Sequence, residues 1–139
     1  MEKTPEEIIE KISFELPDGN CLFNFEKVSK RTHLDIASVN SAMLLRMNGN
    51  KIISAGVSAG GVGPVPMYLE KASDFLSGKT ISETLVHEMI QIAVTEISPI
   101  SDARGSAEYK TQLLSQLIKA HFLKLFPNLS TSKLLATAL

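Results

Sequence analysis

A single cysteine, Cys21, stands in the whole sequence. That scarcity excludes an intramolecular disulfide and any zinc site built from paired thiolates, and it fits a reducing compartment. Histidine is nearly as rare, with His33, His87 and His121 and no pair of them on one helix face. His87-Glu88-Met89-Ile90-Gln91 imitates a zinc-protease helix only as far as Gln91, which occupies the place of the second histidine. His87 therefore reads as a solvated helix residue, and metal chemistry lacks its ligands. No charge sign prevails either, since 14 Lys and Arg meet 15 Asp and Glu. Without a field to steer nucleic acid or an anionic membrane, neither is an expected partner. No apolar run approaches the roughly 18 residues of a membrane span, and Met1 to Glu7 is acidic where a signal peptide is basic. The expectation is a cytoplasmic protein.

What is present suits one compact domain. The 139 residues, 44% of them hydrophobic, suffice for a single core, which is expected over residues 1–127 with 128–139 as a C-terminal tail or a docked turn of helix. Ile12, Phe14 and Leu16 alternate with Ser13 and Glu15, the period of a half-buried strand, and Pro17-Asp18-Gly19-Asn20 then turns the chain. A second alternating run sets Cys21, Phe23 and Phe25 on one face and Leu22, Asn24 and Glu26 on the other. Asp35 to Met47 and Lys51 to Ala59 flank Asn48-Gly49-Asn50, whose chemistry predicts a hairpin.

After Gly60-Gly61-Val62-Gly63-Pro64-Val65-Pro66 the period lengthens to that of a helix. Helices are predicted from Met67 to Leu76, from a Thr80 or Ser82 cap to about Ile97, and from near Ser106 to Phe126. In the last of these, Leu113, Leu114, Leu117, Ile118, Phe122 and Leu125 form the inner stripe and Lys110, Gln112, Gln116, Lys119 and Lys124 the outer face, with His121 beside the stripe. Strands followed by helices predict an α+β fold: an antiparallel sheet of three to four strands, covered on one face by about three helices.

Three segments carry the candidate chemistry. The Gly60–Pro66 loop offers a phosphate cradle or, more commonly, a tight exit from strand to helix, because Pro64 and Pro66 remove two donors and no Lys-Ser or Lys-Thr follows. In Ser101–Ser106, Asp102 or Ser106 is placed to cap the last helix, with Arg104 paired to Asp102 or Glu108 as a staple. Lys27, Lys30, Arg31 and Asp35 form either a solvated charged loop or a cation and carboxylate aimed at an electron-rich ring. Such a pair tunes a flavin's potential, since positive charge favours the reduced anion and a carboxylate opposes it.

Taken in order, these segments resemble a known family. Lys27-Val28-Ser29-Lys30-Arg31-Thr32-His33-Leu34-Asp35-Ile36-Ala37, Gly60 to Pro66, and Ile97-Ser98-Pro99-Ile100-Ser101-Asp102-Ala103-Arg104-Gly105-Ser106-Ala107-Glu108-Tyr109-Lys110 are similar to three motifs of the flavoprotein C-terminal domain of molybdenum hydroxylases, the xanthine dehydrogenase and carbon monoxide dehydrogenase type. Departures include Lys30 for the usual arginine, Gly63 for alanine and Tyr68 for a basic residue. The resemblance implies a three-stranded sheet with a helical bundle, lying against the ring of FAD while another lobe holds the rest of the cofactor. Carried over, Lys27, Arg31 and Asp35 are the flavin-facing, cofactor-binding candidates, and no residue is assigned a catalytic or metal-binding role.

Glycine-rich pyrophosphate loops of an FAD lobe do not precede the domain, and residues 7–17 resemble the last strand of that lobe. The expectation is thus a split or truncated FAD subunit of an oxidoreductase, with weak FAD binding by the isolated chain. Its partners would be an FAD-binding lobe and the iron–sulfur and molybdopterin subunits, since one cysteine cannot ligate a cluster. The alternative is a non-catalytic assembly module that makes a homo-oligomer through its exposed sheet.

Overall fold

Gly49, at φ 56, takes the left-handed conformation that a tight hairpin demands, and around it β2 (Val39–Asn48) folds back antiparallel on β3 (Lys51–Gly60). The computed structural model that shows this describes residues 4–14 and 16–136. β1 (Cys21–Val28) pairs antiparallel with β2, and a two-residue β4 (Met67–Tyr68) pairs with β3, giving the order β1-β2-β3-β4. A register shift opposite Arg46 and Met47 leaves Ile53 unpaired, so that Ile52 enters the core while Ile53 is exposed.

Four helices follow: α1 (Glu70–Leu76), α2 (Glu83–Thr95), α3 (Ala107–Leu125) and α4 (Thr131–Ala136). α1 lies against β3, α3 lies against β1 and β2, and α2 packs on both of those helices. They cover the sheet face that carries Val39, Met43, Leu45, Ile52 and Val57, which join Met89, Leu114, Ile118 and Phe122 in one core. Leu134 of α4 is fully buried in the same core, and Glu83 accepts a hydrogen bond from the Ser130 N–H at 3.1 Å. The α+β fold with a helix-covered antiparallel sheet is the one that the periodicity predicts.

Serine hydroxyls start the two long helices, Ser82 accepting from Leu85 N–H and Ser106 from Tyr109 N–H, each at 3.1 Å. α1 has no such cap at Leu69. Glu96, just past the end of α2, supplies one from a distance, its two oxygens accepting the Lys71 and Ala72 N–H groups at 2.9 Å each. Replacing Glu96 by alanine is expected to cost about 1 kcal/mol, the usual worth of a lost cap, read as a lower urea midpoint with an unchanged slope.

The structure corrects five expectations. Residues 12–14 and 16 form no strand, and Ile12, Phe14 and Leu16 are exposed, because no strand among the described residues pairs with them; Glu15 lies outside the described residues. Met67 and Tyr68 belong to β4, so the first helix begins at Glu70. Lys110 and Lys119 are buried rather than outward, because the inner face of α3 is wider than its apolar stripe. Asp102 pairs with Lys110, at 2.9 Å, rather than with Arg104. His121 is fully buried under the sheet rather than at the edge of the stripe.

Candidate functional site

Alternation along β1 sets Cys21, Phe23, Phe25 and Lys27 on the face that the helices leave uncovered. The register continues that face through Arg46, Leu44, Ala42 and Asn40 of β2, then Gly56 and Ser58 of β3, to Tyr68 of β4. Phe23, Phe25 and Tyr68 are 59%, 53% and 60% exposed, a concentration of aromatic surface that a soluble face seldom carries without a partner. Shallow depressions of about 250 and 220 Å³ run between these side chains. A larger cleft, about 440 Å³, opens near Asn50, Glu83 and Phe126, at the opposite end of the sheet from the three motif segments.

Those segments converge where β1 ends and β2 begins. Lys27 Nζ donates to the Asp35 carbonyl at 2.7 Å, which closes the loop of residues 29–38. Asp35 Oδ2 accepts the Arg31 N–H at 2.8 Å, Oδ1 accepts the Ile36 N–H at 3.0 Å, and the Arg31 guanidinium stands 3.4 Å away. The Arg31 amide, followed by its guanidinium, holds the Asp35 carboxyl below the usual carboxylate range, so it is ionised at neutral pH. With Asp35 engaged by Arg31, and Lys27 and Lys30 each bonded to a carbonyl, the cluster carries three cations against one anion. Leu34, at φ 50 and 100% exposed, marks a strained and unshielded apex.

The glycine-rich loop is a packing device. A Cβ on Gly61, at φ 83, would lie 2.3 Å from the Ser38 carbonyl oxygen, and one on Gly63 would lie 2.4 Å from Met67 Sδ. The space beside these glycines is filled by the chain's own atoms, which argues for the strand-to-helix exit and against a phosphate cradle. The third segment meets the first through Lys30 Nζ, which donates to the Ala103 carbonyl at 2.6 Å, and Ser38 Oγ, which donates to the Arg104 carbonyl at 3.1 Å. It meets the second where Ser98 N–H donates to Val62 O at 3.0 Å.

Lys27, Arg31 and Asp35 are therefore brought together, and their proximity follows from short loop spacing. The contributions of Ser38, Leu34 and the uncovered aromatic strip carry no local signal beyond the alternation of β1. A planar, electron-rich ring fits such a strip with a cation at its end, whereas nothing in the three segments fits a diphosphate. Among the described residues no three His, Cys, Asp or Glu side chains are grouped to hold a metal, and no helix is long and apolar enough to cross a membrane.

Comparison with known proteins identifies the family of the domain. The family described as the CO dehydrogenase flavoprotein C-terminal domain matches residues 25–125. The chain is 28% identical over 115 residues to the carbon monoxide dehydrogenase medium chain of Afipia carboxidovorans, covering 83% of this chain and 40% of that one. It is 27% identical over 116 residues to the glyceraldehyde dehydrogenase medium chain of Sulfolobus acidocaldarius, covering 84% and 41%. The reconstituted CO dehydrogenase from Oligotropha carboxidovorans contains a chain that superposes with a TM-score of 0.70 at 27% identity, over 76% of this chain and 36% of that one. The chain thus spans between a third and two fifths of the length of the curated relatives it matches.

Proposed function

The chain belongs to the CO dehydrogenase flavoprotein C-terminal domain family, and we propose that it forms one wall of a flavin site whose other wall is an FAD-binding lobe, on the same polypeptide or a separate one. The observation that carries this reading is the placement of Lys27 at the end of the uncovered Phe23–Phe25 strip, its ammonium steered by the Asp35 carbonyl. Lys27 offers positive charge at the edge of the ring, Arg31 neutralises Asp35, and the aromatic strip excludes water from the contact. FAD, when bound, supplies two-electron transfer. Iron–sulfur and molybdopterin subunits are the proposed neighbours in the electron path, and this chain's part in it is positioning and electrostatics.

Mixing the chain with the FAD-binding lobe of a relative is expected to yield a yellow complex with stoichiometric, reducible flavin, and the chain alone is expected to bind FAD weakly. Failure to form that complex with any such lobe counts against the proposal. In the complex, Lys27→Met is expected to move the flavin potential roughly 20–30 mV more negative, since about 1 kcal/mol of charge stabilisation corresponds to some 20 mV for a two-electron couple. An unmoved potential would remove Lys27 from the flavin's surroundings.

The exposed Phe23, Phe25, Leu44 and Tyr68 favour a second reading, in which the same face makes a homodimer and serves assembly alone. Sizing chromatography of the pure chain separates the two: a dimer that persists and excludes the FAD-binding lobe supports the second.

A further inference from the structure

We propose that the Asp102–Lys110 ion pair is a positioning pair for the site loop: it sets the 102–105 turn from α3, and that turn in turn sets where residues 29–38 sit. The proposal rests on the reading of Lys27 given above for its functional meaning, but its structural content stands separately.

Lys110 is 3% exposed, and its Nζ donates to the Ile100 carbonyl at 2.7 Å and to Asp102 Oδ2 at 2.9 Å. Burying an ammonium is strongly unfavourable before pairing, and an apolar side chain usually fills such a position at least as stably. A lysine here is therefore poorly explained by core stability alone. Its effect is to hold the turn: Asp102 Oδ1 accepts the Arg104 N–H at 2.8 Å, while Asp102 and Gly105 exchange backbone hydrogen bonds of 3.0 and 3.1 Å. Gly105, at φ 151, lets the Tyr109 ring pack against its Cα, where a Cβ would lie 2.5 Å from Tyr109 Cδ1.

With those groups turned inward, the Ala103 and Arg104 carbonyls accept from Lys30 Nζ and Ser38 Oγ, contacts that bridge 73 and 66 positions of sequence. The bonds among Lys27, Arg31, Asp35 and Ile36 are internal to the loop and fix its shape. Those bonds are exposed to water, and Lys30 and Ser38 brace the loop that carries them against the 102–105 turn, so releasing the brace lets them open. A path of direct contacts therefore runs from Lys110 through Asp102 and the turn to the loop that carries Arg31 and Asp35.

The test is amide hydrogen exchange on the whole chain. Lys110→Met, which leaves the partly exposed Asp102 carboxylate to water, is expected to raise exchange at Arg31 and Ile36 about tenfold while amides of β2 and α2 keep their rates. Unchanged exchange in the loop, or an equal rise through sheet and helices, would overturn the proposal. If Lys110→Met does not fold, Lys30→Met combined with Ser38→Ala cuts the same link at its loop end, and an unaffected loop there is equally fatal.

In a complex with an FAD-binding lobe, the Lys110→Met variant that loosens the loop should also shift the flavin potential in the direction of Lys27→Met. A loosened loop with an unmoved potential supports the positioning pair and tells against the flavin-facing reading of Lys27.

Discussion

Acidification through the window from pH 6.5 to about 4 is expected to remove about 3 kcal/mol from the stability of the fold, through His121 alone. Burial under the sheet depresses the pKa of this ring from 6.5 to about 4, against a smaller opposing pull from Glu26. Asn24 Nδ2 donates to His121 Nδ1 at 2.9 Å and to Glu26 Oε1 at 2.9 Å, so the ring proton resides on Nε2, which is buried and finds no acceptor among the described residues. Above pH 6.5 the ring is neutral in both folded and unfolded chains and contributes nothing to the pH dependence. As the pH falls, the unfolded chain takes up a proton that the folded one refuses, and stability declines until the folded ring also protonates near 4.

The carboxylates act in a different window. Asp18, Asp35, Glu83, Asp102 and Glu108 are all held below their ordinary range, chiefly by hydrogen bonds from Arg46, the Arg31 amide, the Ser130 amide, Lys110 and the Glu108 amide respectively. Their contribution is present above the ordinary carboxylate range and disappears as pH falls through their lowered values, largely beneath the His121 window. Urea midpoints measured from pH 7.5 to 4 should therefore show an early slope that His121→Gln abolishes, since glutamine keeps an acceptor for Asn24 and does not titrate. A slope that survives His121→Gln would assign the acid sensitivity elsewhere.

The second large effect is expected at Gly61. Alanine there meets two penalties: φ 83 is a conformation that a side chain adopts at a cost of about 1 kcal/mol, and the new Cβ would lie 2.3 Å from the Ser38 carbonyl oxygen. That oxygen is backbone and cannot swing away as a side-chain tip would. The expected loss is about 3 kcal/mol, read as a lower urea midpoint. Gly78→Ala is the internal control, because Gly78 has φ 77 but nothing within 4 Å of the Cβ position, and only the conformational cost of about 1 kcal/mol applies. Equal losses at the two sites would show that the contact with Ser38 is not tight. Because Ser38 also donates to Arg104, Gly61→Ala should loosen the 29–38 loop beyond its effect on global stability.

The elements that sequence reveals here are those whose cause lies within a few residues. Gly49 in its hairpin, Ser82 and Ser106 as helix caps, and the Arg31–Asp35 pair four residues apart are all read from adjacent chemistry. The alternation in Ile12, Phe14 and Leu16 is equally plain, yet it produces no strand, because a strand needs a neighbour and none of the strands among the described residues pairs with it. Period reports which residues share a face and never what lies opposite.

Local pattern, in other words, was enough for the three long strands, the three helices that follow them, the fold class and the three motifs that resemble the family. Packing alone settled that Phe23 and Phe25 look outward while Asn24 and Glu26 look toward α3, and that Lys110 and His121 are buried. It alone brought loops 66 and 73 positions apart into hydrogen-bonding contact. The physical reason is range: turn, cap and periodicity energies act over one or two turns of chain, whereas the burial of a charge or ring depends on which helix lands on which strand.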